Sequence, residues 1–344
     1  MTHKCKVLVV GGGVMGASVA WHLTQAGAAV TLIDQGPGST PGVTAASFGW
    51  VGASASTPSD DPDAFALRLH ALEEFKRLEQ TLGAFPVTVR GALSWGATTD
   101  ETAALIAEHL AAGSRIESVS AAQVRQKEPS LAVVPDLAMW APDDFALEPV
   151  DLARCFIQAA QAGGATVLSG TVQRVLLEGG RVSGVELQEQ DIHADKVVLA
   201  NAYGALALAA SAGVALPIEQ QPAVLLRLDA ERNLVRHLLC AQDLELRPGK
   251  GRGLMSALDY PLEGEAGLQS LAEQTCQSIA QLLQLPSVPP VLSLEVGQRP
   301  MTRNKQPLCG PIGTLDGLFA AVAHPGVILA PLLGRLCTQE VLAA

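Results

Sequence analysis

Residues 7–34 read V-L-V-V-G-G-G-V-M-G-A-S-V-A-W-H-L-T-Q-A-G-A-A-V-T-L-I-D, and no other stretch constrains the fold as strongly. The β-formers Val7 to Val10 run straight into Gly11-x-Gly13-x-x-Gly16. A helical pattern of Ala17, Ala20, Trp21 and Leu23 follows and closes at Gly27, and a second apolar strand, Val30 to Ile33, ends on Asp34. Strand, glycine turn, helix and strand in this order form the unit that holds an ADP-containing cofactor. Gly11 permits the tight turn, Gly13 lets the backbone approach a pyrophosphate, and Gly16 lets helix and strand pack closely. The turn residues Val14 and Met15 begin the helix, whose unpaired N–H groups and dipole favour an anion. Asp34 stands 18 residues past Gly16, where an acceptor meets a ribose hydroxyl, with Gln35 next to it. These residues alone leave FAD and NAD undistinguished.

The rest of the composition limits what such a cofactor can serve. With 344 residues and 48% hydrophobic content, the chain can bury a large core as one large domain or two ordinary ones. A net charge of −11 argues against nucleic acid or anionic lipid as a partner, since both need a basic face. The six cysteines form no C-x-x-C pair and the seven histidines show no ligand spacing, so no metal is expected. The sequence suggests neither a signal peptide nor about 18 consecutive apolar residues, so a cytoplasmic location without a transmembrane segment is expected. Self-association stays open.

The β and α patterns recur. Residues 63–82 read as a helix with Phe65, Leu72 and Phe75 on one side and Arg68, Glu73 and Lys76 on the other, started by Asp61-Pro62 and stopped by Gly83. A helix is expected over 151–162, strands over 165–169 and 170–177, a Gly179-Gly180 hairpin, and a strand at Lys196 to Ala200. Residues 84–97 read as strands and 217–260 as several antiparallel strands, followed by a helix over 266–285. A strand at Val291 to Gly297, another at Leu318 to Ala323 and a helix from Val327 to Leu342 complete the pattern. The fold class expected is α/β, α+β overall. It has a Rossmann-like cofactor domain in three segments (1–83, 141–216 and 295–344) and an inserted antiparallel-sheet substrate domain (84–140 and 217–294). A cofactor domain built from separated segments does not suit a simple NAD dehydrogenase.

Four stretches resemble the flavin-dependent D-amino-acid oxidase / glycine oxidase superfamily. The first is the opening unit, although relatives more often carry Glu at the Asp34 position. The second, Thr44-Ala45-Ala46-Ser47 with Gly49, is similar to the small-residue segment beside the isoalloxazine ring. The third is Gly170-Thr171-Val172 with Val197 to Ala200, Asn201 and Gly204. There the resemblance implies that backbone at Val172 caps the adenine and that the Ala200–Gly204 turn packs near the pyrophosphate. The fourth joins Arg299-Pro300-x-Thr302 to His324-Pro325-Gly326-Val327-Ile328-Leu329. It implies that Arg299 grips a substrate carboxylate, that His324 is a hydrogen-bonding neighbour of the flavin, and that the helix from Gly326 meets the ring's N1–C2=O edge. A guanidinium matches a carboxylate with two parallel donors.

The resemblance implies non-covalent FAD, since no cysteine carries the motif of covalent attachment. It also implies an amino-acid oxidase or dehydrogenase that oxidises the Cα–N bond of a glycine-like or D-amino acid by hydride transfer to flavin N5. O2 or another acceptor would take the electrons. Relatives use tyrosines to hold the substrate. This chain has two, and Tyr260, in the 217–260 sheet, is the candidate. The run Arg247-Pro-Gly-Lys-Gly-Arg252 reads as a site for a second anionic group or as a basic turn. The rival expectations are a sarcosine-like secondary amine as substrate, a nicotinamide-dependent dehydrogenase, and a non-catalytic nucleotide-binding protein.

Overall fold

The structure is a computed structural model that describes residues 4–36, 42–242 and 244–344. Of the loop after Asp34, residues 37–41 therefore lie outside the described residues. The opening strand Lys6–Val10 is central in a six-stranded sheet. Across that sheet the order is Leu308–Pro311, Leu318–Val322, Lys196–Leu199, Lys6–Val10, Ala29–Asp34 and Thr166–Ser169. All neighbours are parallel except the first pair. The chain leaves Lys6–Val10 for Ala29–Asp34 on one side, and Lys196–Leu199 arrives on the other. The crevice at such a switch point, beyond the carboxyl ends of the strands, is where ligands bind in open α/β sheets.

The strands are nearly continuous apolar runs because helices cover one face and a small sheet the other. Helices Val14–Gln25, Pro149–Ala162 and Gly326–Ala343 share one core with the sheet. The three strands Val172–Glu178, Arg181–Leu187 and Gln190–His193 share the other with helix Ala205–Ser211. Gly179 and Gly180 adopt φ of 60° and 81°, which suits the two-residue hairpin. Gly326–Ala343 is the one described helix long and apolar enough to cross a membrane. Its apolarity is accounted for by packing on Val14–Gln25, where a Cβ on Gly334 would come within 2.3 Å of Ser18 Oγ.

The second sheet has nine strands. Its main path runs Val291–Thr302, Ile218–Leu228, Leu254–Asp259, Leu244–Pro248, Leu238–Ala241, Val87–Trp95, Leu137–Leu147 and Trp50–Val51, and Glu117–Ser120 pairs on Leu137–Leu147. One feature departs from the antiparallel expectation for 217–260: Leu238–Ala241 runs parallel to Val87–Trp95. Alternation within a strand does not encode the direction of a remote partner. The expected boundaries at 140 and 294 fall inside the strands Leu137–Leu147 and Val291–Thr302, which belong to this sheet throughout. Helix Pro62–Leu82 begins as read: Asp61 Oδ1 accepts from the Ala64 N–H at 3.0 Å, and Gly83 ends it at φ 81°.

Candidate active site

The two sheets enclose one cavity of about 690 Å³ at the switch point. Its walls bring together residues from all four stretches singled out in the sequence, including Val14, Ala46, Ala200, Arg299, His324 and Gly326. At the glycine turn, Gly11 has φ 107°, and a Cβ there would lie 2.7 Å from the Asn201 backbone. A Cβ on Gly16 would lie 1.9 Å from the Gly11 carbonyl oxygen. Both glycines are therefore required by packing. Gly13, by contrast, lines the cavity and caps the first helix. The N–H groups of Gly13 and Met15 find no partner among the described residues, as an anion-binding turn requires. Thr44 reaches back to this turn and its hydroxyl accepts from the Val14 N–H at 3.1 Å.

Asp34 accepts from the Gly12 N–H at 2.6 Å and the Gly36 N–H at 3.1 Å. A carboxylate has about four acceptor sites, so two remain for hydroxyl donors. The Gly170 N–H donates to the Asp34 carbonyl, placing Val172 two residues from that strand end. The buried Oδ1 of Asn201 has no partner among the described residues, and Gly204 packs against the same side chain. An unpaired buried acceptor beside an anion-binding turn suits a ligand carrying hydroxyls and phosphates. Ser47 donates to the Val43 carbonyl at 2.6 Å, and Ala45 donates to the Gly42 carbonyl, so 42–47 forms a tight turn. Ala46 nearly touches Gly297 of the facing strand, where a Cβ would come within 2.9 Å. Gln35 is exposed at the strand end, and Ile328 and Leu329 are buried behind Gly326 and Val327.

Asp144 holds the next part of the wall, although nothing in its local sequence marks it. It is 3% exposed and accepts from Trp50 Nε1 at 2.9 Å, Ser54 Oγ at 2.6 Å, and the Ser54 and Ala53 N–H groups. Burial pushes its carboxyl up, and these donors work against that shift. Replacing Asp144 with alanine strands several buried donors at once. It is expected to cost on the order of 3 kcal/mol and to lower cofactor retention. Thermal unfolding with and without added FAD checks this, and an unchanged midpoint would refute it.

Arg299 lies on Val291–Thr302. Its Nη2 donates to the Pro222 carbonyl at 3.3 Å and stands 3.6 Å from Asp259 Oδ1. Its buried Nε has no partner among the described residues. The guanidinium therefore retains donors for an incoming carboxylate. His324 ends the strand side of the helix start. Burial, then the positive charges of Arg299 and Arg68, lower its pKa to about 4. The ring is therefore neutral at physiological pH.

Tyr260 does not line the cavity. Its neighbour Asp259 does. Tyr260 stands just past the end of strand Leu254–Asp259, whose residues Ala257, Leu258 and Asp259 reach the cavity. The basic run does not form an anion site. Arg247 is fully buried and donates to the Phe48 and Pro248 carbonyls and to Glu148. Lys250 and Arg252 pair with Asp151 and Asp229. Besides Asp259, two charged groups that no local sequence pattern marks as site residues line the cavity, Arg68 and Glu245. Glu245 makes no side-chain hydrogen bond among the described residues, and burial pushes its carboxyl up to about 7.

Comparison with known proteins places the chain in a family. A family model described as FAD dependent oxidoreductase matches residues 6–340. The glycine oxidase of Geobacillus kaustophilus is 26% identical over 358 residues, covering 99% of this chain and 94% of that protein. The crystal structure of glycine oxidase from that species superposes with a TM-score of 0.81 at 23% identity, over 99% of this chain and 95% of that one. Iminodiacetate oxidase from Chelativorans sp. BNC1 superposes with a TM-score of 0.84 at 21% identity, over 98% and 95%. At these identities the superpositions establish the fold, and the family match establishes membership. This chain belongs to the FAD-dependent oxidoreductases of the D-amino-acid oxidase type.

Proposed function

We propose that the protein oxidises the Cα–N bond of a small amino acid or N-substituted amino acid to the imino acid, which water then hydrolyses. The observation that carries this reading is the incompletely paired guanidinium of Arg299 in the cavity that the glycine turn and the His324–Val327 segment also line. We assign FAD to Gly13, Val14, Met15, Asp34, the 44–49 turn, Val172, the Ala200–Gly204 turn and the start of helix Gly326–Ala343. The substrate goes to the face of the nine-stranded sheet. The division of labour between the two sheets is part of the same proposal. When bound, FAD supplies the acceptor for the Cα hydrogen, taken as hydride.

The chain's own residues do the rest. Arg299 holds the substrate carboxylate through parallel N–H donors and so fixes which Cα bond faces the cofactor. An amino acid arrives as an ammonium, which must lose a proton before its nitrogen can support the developing imine. A carboxylate oxygen of Glu245 takes that proton, because its pKa lies close to working pH. His324, neutral, hydrogen-bonds without adding positive charge. The unpaired N–H groups at the start of helix Gly326–Ala343 offset negative charge at the cofactor edge.

The test is anaerobic: D-, L- and N-methyl amino acids are mixed with the holoenzyme and the loss of flavin absorbance is followed. Bleaching by at least one amine carboxylate supports the reading; none across the panel rejects it. Repetition in air separates O2 from another acceptor. The role of Glu245 has its own signature. The carboxyl is protonated below about pH 7 and ionised above it, so kcat/KM is expected to climb as pH rises through about 7. Glu245→Gln is expected to remove that limb. A limb surviving in the variant would assign the titration elsewhere.

A further inference from the structure

A second guanidinium in the cavity has no part in the mechanism above. Arg68 projects from helix Pro62–Leu82 into the cavity wall. Among the described residues it makes no hydrogen bond and reaches no carboxylate at ion-pair distance. The acidic groups that influence it are Glu245 and Asp144. Asp144 is committed to Trp50, Ala53 and Ser54. After burial, the charges acting on Glu245 are Arg68, then Asp259 and Arg299, and those acting on His324 are Arg299, then Arg68. The two guanidinium groups thus share the same two neighbours within one cavity. The nearby cations Arg247, Lys250 and Arg252 are already paired, and Arg227 stands 3.4 Å from Glu295.

An unpaired guanidinium facing a cavity keeps its planar fork of donors for a ligand anion, and a carboxylate matches that fork. The geometry points to Arg68 as the residue that binds a second carboxylate, so that the substrate is an amine carrying two carboxylates, one on Arg299 and one on Arg68, with the nitrogen at Glu245. Arg299 and Arg68 serve the two carboxylates and Glu245 the ammonium, while Asp259, which also lines the cavity, is 95% exposed and stands 3.6 Å from Arg299. This inference rests on the amine-oxidising reading above. It covers amino acids with an acidic side chain and amines with two carboxymethyl arms, which share this chemistry.

The test separates binding from turnover. The holoenzyme is titrated with malonate, succinate and glutarate, and with propionate, butyrate and pentanoate. None contains an amine, and binding is read by calorimetry and by perturbation of the flavin spectrum. At least one diacid is expected to bind roughly 10- to 100-fold more tightly than the monoacid of equal length. Arg68→Met is expected to abolish that preference while leaving monoacid affinity within about threefold, and Arg68→Lys to restore part of it. Equal affinity for diacids and monoacids in the unmodified enzyme overturns the proposal, as does an Arg68→Met effect equal on both. The first criterion holds even where a variant fails to fold. Turnover of D- and L-aspartate and glutamate against iminodiacetate then distinguishes the two substrate types. If no amine bleaches the flavin while diacids still bind selectively, the amine-oxidising reading fails and the second anion site stands.

Discussion

Replacing Arg299 with methionine is expected to raise the KM for an amine carboxylate by roughly 100- to 1000-fold, with FAD retained at full stoichiometry. Methionine keeps much of the side chain's length and its apolar packing but removes every donor. The loss includes the carboxylate contact and the desolvation left uncompensated on the substrate. The cofactor is unaffected on this reading because the glycine turn and the 44–49 segment, not Arg299, carry most of its contacts. A smaller fall in kcat is also expected, since an unanchored Cα samples poor geometries. Arg299→Lys should recover part of the affinity, because a point charge replaces the planar fork. Asp259, 3.6 Å away, would be left partly unpaired by methionine, but it is 95% exposed and water takes over. Steady-state kinetics and the visible spectrum of the purified variant decide the matter. An unchanged KM would move the carboxylate site away from Arg299, and a colourless protein would make Arg299 part of the cofactor site.

What the sequence made legible was mostly local. The opening unit reads directly because strand, glycine turn, helix and acidic residue lie within residues 7–34 and need no distant partner to be recognised. Arg299 and His324 were legible through a resemblance spanning the whole chain, and the structure places both on the cavity wall. Arg68 was visible only as a charge on the polar side of an amphipathic helix. Periodicity separates apolar from polar faces, but it cannot tell water from a polar cavity. Glu245 and Asp144 belong to strands whose importance depends on residues far away in sequence, such as Ser54 for Asp144. Tyr260 was chosen for its residue type, and it lies just outside a cavity lining that ends at Asp259 on that strand. The parallel pairing of Leu238–Ala241 with Val87–Trp95 joins segments some 145 residues apart, which no window of local pattern contains.

The second large effect is expected at Gly16, where one methyl group should cost the protein its cofactor. An added Cβ would stand 1.9 Å from the Gly11 carbonyl oxygen and 3.1 Å from the Ala200 Cβ. The nearest obstacle is backbone, so no side-chain rotation relieves it. The helix start must move off the strand Lys6–Val10, and with it the unpaired Gly13 and Met15 N–H groups that we assign to the cofactor's pyrophosphate. Overpacking of this kind costs about 3 kcal/mol or more, and the displaced donors weaken FAD binding further. Gly16→Ala is therefore expected to purify largely without yellow colour and to unfold at lower temperature. Gly27→Ala is the matched control. Gly27 ends the same region at φ 89°, but an added Cβ meets nothing within 4 Å. Its cost is the left-handed backbone alone, about 1–2 kcal/mol, with FAD retained. The ratio of visible to ultraviolet absorbance separates the two outcomes. A fully yellow Gly16→Ala protein would mean that the turn tolerates a shift of more than an ångström, and that cofactor binding rests on the 44–49 segment and the helix at Gly326 instead.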